Sequence, residues 1–224
     1  MQLTERKYRY AALQSIARNT LIAYDRSLVS GIPRAIPIDM IAEQLLGLRI
    51  EYHCLRKNGI VLGETIFDDA QVPVYDLDEQ RYTLIPAKSG TIILDTGLLD
   101  GGSEGRLRFT LAYEVAHWII HREMYTGSGH AAAHIDEHVA HAAAHTDEHT
   151  DAHTDATTSA HEDSATERQA DVLGTYLIMP ASQVKRAFYQ VRNAKGSDIT
   201  AELAALFQVS RQAMRIFMEE HRLL

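Results

Sequence analysis

The chain has 224 residues, 46% of them hydrophobic, a formal net charge of −8 and a single cysteine. That length holds one domain, or one domain with a small appendage, and the composition supports a buried core. Lone Cys54 excludes an internal disulfide and suits a reducing compartment; MQLTERKYRYAALQ lacks the apolar run of a signal peptide, and no segment approaches the roughly 20 apolar residues that span a bilayer.

From the N-terminus, residues 4–30 have the apolar spacing of a helix, ended by the Gly and two Pro of SGIPRAIP. IDMIAEQLLG predicts a short amphipathic helix with Asp39 near its start and Gly47 as its C-cap. LRIEYHCL alternates like a strand, GIVLGETIF and QVPVYDL read as further strands, and RYTLIPAKSGTIILD suggests a hairpin in which TIILD is the strongest strand. TIILD is also expected to offer an edge along which an extended peptide could pair. Cys54 reads as a strand residue rather than a nucleophile.

At Arg108 the period turns helical again. RFTLAYEVAHWIIH predicts a buried helix, and a second runs from about Ser164 to Ile178, stopping before Pro180. SQVKRAFYQVR is a further amphipathic helix, and the tail reads as two helices separated by QVS, with Ser210 capping the second. That tail resembles half of a helix-turn-helix, but Arg211, Arg215 and Arg222 are offset by Glu219 and Glu220, so nucleic acid is the minor reading.

Between the central helices lies a compositional anomaly. Residues 130–163 hold eight of the twelve histidines, eight acidic residues and no Lys or Arg, and HAAAHIDEHVA is followed at once by HAAAHTDEHTD. The rest of the chain is electrically balanced, with 22 acidic residues against 22 basic ones. With so few aliphatic side chains the segment cannot repay the entropy of folding, and a solvated insertion is expected. Imidazoles spaced three and four apart suit metal capture, while repeat expansion in a tolerant loop explains the same pattern.

The chemistry concentrates at 113–171. Zinc in a peptidase needs nitrogen or carboxylate ligands, an open position and a base beside it. A helix supplies such groups at i, i+1 and i+4, here Tyr113, Glu114 and His117. Glu167 is placed to bring a ligand from the next helix, with Asp171 one turn on to orient it.

RFTLAYEVAHWIIH followed by ExxAD…LIMP resembles the ImmA/IrrE family of metallo-endopeptidases, whose hallmark runs close to RFTLAHELGHxLLH and then ExxAN…LLMP. The IPIDMIAEQLLGLRIEY segment, the TIILD strand and the LFQVS tail fall where that family has similar features, so the resemblance covers most of the chain outside 130–163. It implies an α+β, zincin-like domain over residues 1–180, with a small sheet packed on the metal-site helix, and a helical C-terminal subdomain over 181–224. It also implies zinc held by His117 and Glu167, Glu114 as general base, and a cytoplasmic protein substrate, a transcriptional repressor of the kind found in mobile elements.

The chain departs from the family at Tyr113, which stands where the first histidine ligand belongs. Tyr113 can ligate as a phenolate, His121 can pair with His117 in a shifted HWIIH, or a histidine of the insertion can complete the shell. The substitution also opens a second function, a pseudopeptidase that binds its regulator without cutting it.

Overall fold

The computed structural model describes residues 8–57, 59, 61–100, 104–126, 159–192 and 198–224, and for 159–164 the backbone alone. Residues 130–158 and the side chains of 159–163 lie outside that set, and with them the expectation that one of the eight histidines of 130–163 completes a metal site.

The first predicted helix is divided. Helix α1, Tyr10–Tyr24, buries Leu13, Ala17 and Leu21, one stripe at four-residue steps. Asp25 then turns extended, and its carboxylate accepts hydrogen bonds from the Ser27 amide at 2.8 Å and the Ser27 hydroxyl at 2.6 Å. This side-chain bond competes with the helical ladder and starts a separate short helix, α2, Ser27–Ser30. Helix α3, Ile38–Met40, runs into a π-helical turn, Ile41–Leu45, and the chain leaves it through Gly47 at φ +68°, a left-handed conformation that suits glycine.

Five strands follow: β1 Arg49–His53, β2 Gly63–Ile66, β3 Ala70–Asp76, β4 Arg81–Ala87 and β5 Thr91–Asp95. They form two sheets. In the first, β5 lies between β1, to which it is parallel with Ile92 opposite Ile50, and β2, to which it is antiparallel with Ile92 opposite Thr65. The second is the antiparallel hairpin β3–β4, whose turn is tied by the Asp76 carboxylate accepting from the amides of Asp78 and Glu79.

Two expectations are corrected here. TIILD does not form a hairpin with RYTLIPA, because β4 takes β3 as its partner. At Gly90, φ +81°, the chain is redirected: the Gly90 amide bonds to the Ile66 carbonyl at 2.8 Å and its carbonyl accepts from the Arg49 amide at 2.9 Å. This inserts β5 between β1 and β2. All five residues of β5 are buried and both its edges are paired, so it offers no edge to a peptide.

The helical half comprises α4 Glu104–Tyr125, α5 Ser159–Ile178, α6 Ala181–Val191, α7 Ile199–Phe207 and α8 Arg211–Glu220. Every residue of α4 from Thr110 to Trp118 is buried, because β2 and β5 cover one side and α5 the other. Helix α5 ends at Pro180, whose extended backbone opens α6. Gln208 closes α7 in the left-handed region, and the Ser210 hydroxyl accepts from the Ala213 amide at 3.0 Å, the predicted cap of α8. One apolar core joins Leu13, Ile92, Leu111, Leu173, Phe207 and Met218; a smaller one, with Leu55, Ile66, Val72 and Ile93, lies between the sheets. Among the described residues no helix is long and apolar enough to cross a membrane.

Gly174 sets how closely α5 approaches α4. A Cβ there would lie 3.1 Å from the Ala112 carbonyl oxygen and 3.1 Å from both N and Cα of Tyr113. Backbone cannot yield as a flexible side chain does, so Gly174→Val is expected to force the helices apart and cost about 1–3 kcal/mol. Urea unfolding of this variant beside Thr175→Val, on the half-buried neighbouring position, measures the difference.

Candidate metal centre

A buried helix with polar groups on one stripe is costly unless those groups serve each other or a ligand. Tyr113, His117, His121 and Tyr125 recur on α4 at four-residue steps, and their rings meet successively at centroid distances of 4.7, 5.0 and 6.5 Å. Helix α5 packs across this stripe and brings Glu167 to it. His117 Nε2 lies 3.6 Å from Glu167 Oε2, and both side chains are almost wholly shielded from solvent. Two ligands of one tetrahedral zinc, each about 2.0–2.1 Å from it, stand about 3.4 Å apart. This pair therefore has the spacing of two donors sharing an ion.

Burial pushes the Glu167 carboxyl up to about 8. Without a compensating cation, the group is largely protonated at neutral pH; a divalent cation would favour the carboxylate.

His121 meets His117 through the other ring nitrogen, with the two Nδ1 atoms 3.1 Å apart. One must donate and the other accept. If His117 is to offer a lone pair at Nε2, its proton is on Nδ1 and His121 Nδ1 is the acceptor. In this arrangement His121 holds the His117 ring and its tautomer, the service that an outer residue performs for a metal-binding histidine.

Tyr113 is buried, and its hydroxyl has no hydrogen-bond partner among the described residues. The oxygen thus stands unsatisfied one turn from His117, at the position where the resemblance expects a ligand. Among the described residues no group of three or more His, Cys, Asp and Glu side chains is arranged to hold a metal. The His117–Glu167 spacing suits two donors of one zinc ion, and Tyr113, one turn earlier on α4, carries a buried hydroxyl.

Glu114 is turned toward β2. Its Oε2 accepts a 2.5 Å hydrogen bond from the Thr65 hydroxyl, and a Cβ on Gly63 would stand only 2.6 Å from its Oε1. Sequence reading missed both strand residues: Thr65 is 49 positions away, and nothing in GET marks it as a partner of a helix. Asp171 is exposed and lines, with Tyr10, Phe109, Tyr176 and Ile216, a cavity of about 500 Å³ against α8.

The next residue on β2 is Glu64, whose side chain alternates to the face opposite Gly63 and Thr65. It is fully buried, neither carboxyl oxygen has a hydrogen-bond partner among the described residues, and burial raises it to about 7 against the opposing pull of Arg56.

The sequence model described as the IrrE N-terminal-like domain, of a peptidase family, matches residues 135–219. The match contains Glu167, Gly174 and Pro180 and begins downstream of Tyr113, Glu114 and His117. No curated protein matches the chain.

Proposed function

On the premise that this match supports a place in the ImmA/IrrE family of metallopeptidase type, we propose that the chain is a zinc-dependent endopeptidase acting on a regulatory protein, a transcriptional repressor in the first instance. The observation that carries this reading is the approach of His117 Nε2 to Glu167 Oε2 from two different helices, 3.6 Å apart, with Glu114 on the same helix as His117.

When bound, zinc would polarise the scissile carbonyl and lower the pKa of water. The residues have separate tasks. His117 and Glu167 would hold the ion, and His121 would keep the His117 proton on Nδ1. Glu114 takes a proton from the attacking water and returns it to the leaving amine. The buried surroundings of all four exclude bulk water and strengthen each electrostatic contact.

Tyr113 favours a second reading, recognition of the regulator without cleavage, because a phenol stays protonated up to about pH 10 and binds metal well only as phenolate. The two readings separate on one set of variants incubated with a regulator encoded beside this chain. For the peptidase, Glu114→Gln is expected to keep zinc and lose cleavage by at least about 100-fold, whereas His117→Ala loses both. A stable complex with an uncut regulator, indifferent to Glu114→Gln, would establish the second reading instead.

A further inference from the structure

Buried polar side chains hold one orientation only when something fixes them, and a general base must be held within a fraction of an ångström of its proton. The carboxyl of Glu114 is fixed from outside its own helix, by two neighbours on β2. We propose that Gly63 and Thr65 form a strand-borne cradle that positions Glu114, making Thr65 a positioning residue for the base. The inference rests on the reading of Glu114 as that base.

Three observations carry it. Thr65 is fully buried, and its hydroxyl reaches two acceptors of one residue, Glu114 Oε2 at 2.5 Å and the Glu114 carbonyl oxygen at 3.1 Å. A hydroxyl has a single proton, so in either direction it ties Glu114 to the strand. Gly63, two residues away and on the same face, receives the other carboxyl oxygen: a Cβ there would lie 2.6 Å from Oε1, 2.9 Å from Glu114 Cγ and 2.9 Å from Thr110 Cγ2. The strand therefore provides a bond on one oxygen and clearance for the other. Finally, Gly63 and Thr65 are placed by pairing with Leu94 and Ile92 of the central strand, so the cradle sits on a rigid element rather than a loop.

Support from β2 matters because a glutamate side chain has several staggered rotamers to choose among. It explains the residue types: β2 has no side chain at 63 and a β-branched hydroxyl at 65, whose restricted χ1 pre-orients the donor. Valine at 65 would keep the shape and remove the donor; serine would keep the donor and lose the branch.

The test compares Thr65→Val, Thr65→Ser and Gly63→Ala in the full-length zinc-loaded chain, by crystal structure and by cleavage kinetics. Thr65→Val is expected to release the Glu114 carboxyl from β2 and to lower kcat by about 100-fold with KM within about twofold. Thr65→Ser should keep the carboxyl in place and most of the rate. Gly63→Ala should displace the carboxyl while zinc content stays at the wild-type level. If Glu114 stays where it is in both Thr65→Val and Gly63→Ala, the cradle is refuted, whatever the chain cleaves. If the wild-type chain cleaves nothing, the reading of Glu114 as a base falls, and the crystallographic position of Glu114 still decides the cradle. Equal loss of rate in Thr65→Ser and Thr65→Val would show that packing and not the hydroxyl matters, and overturns the proposal.

Discussion

Tyr113→His is expected to tighten zinc binding at the centre by at least about 100-fold, since even residues that only orient a ligand change metal affinity by 10–100-fold. Two candidate donors already stand 3.6 Å apart, His117 Nε2 and Glu167 Oε2. A histidine one turn before His117 would add a neutral nitrogen that needs no proton loss at pH 7, unlike the phenol it replaces. The exchange also removes a buried hydroxyl with no hydrogen-bond partner among the described residues. So that any zinc captured by the eight histidines of 130–163 is subtracted, the measurement is a difference: dissociation constants for Tyr113→His with and without His117→Ala, by chelator competition. An affinity that ignores Tyr113→His would place the ion away from this turn of α4.

The second large effect is in stability against pH. Glu64 ionises near 4.5 when exposed and near 7 in the folded chain, because burial disfavours its charge. The folded state therefore binds this proton more tightly than the unfolded state does. Its contribution is fully present below about pH 4.5 and is lost as pH rises toward 7, a change of about 3 kcal/mol. Glu167, near 8 without metal, adds a loss in the same direction that extends a unit higher. Glu64→Gln removes one of these protons from the balance, since an amide is neutral throughout. It should match the wild type at about pH 4 and exceed it by about 1–3 kcal/mol at pH 8, in urea unfolding of the metal-free chain. A wild-type profile flat from pH 5 to 8 would mean that Glu64 is not held neutral inside the fold.

These expectations depend on different kinds of information in the chain. The stripe of α1, the Gly47 exit, the stop at Pro180 and the Ser210 cap are decided within one or two turns, and each was legible in order along the sequence. The convergence of His117 with Glu167 was legible in a weaker sense: helical spacing put each on one face of its own helix, and the resemblance linked the two.

Strand partners were a different matter. Five consecutive buried residues in TIILD carry the signature of an interior strand, yet the adjacent RYTLIPA invited a hairpin that the Gly90 turn forbids. The side chain that holds Glu114 could not be read from the sequence at all. Thr65 reaches it only because β5 pairs with β2 in a register that lays the GET face on α4, a contact across 49 residues. Local spacing and capping chemistry determined which segments became helices and which helix carries the polar stripe. Where those helices meet the sheet, which strand is interior, and whether a buried carboxyl has a hydroxyl or hydrocarbon beside it were decided by tertiary packing alone, because the free energy of burial depends on neighbours that no sequence window contains.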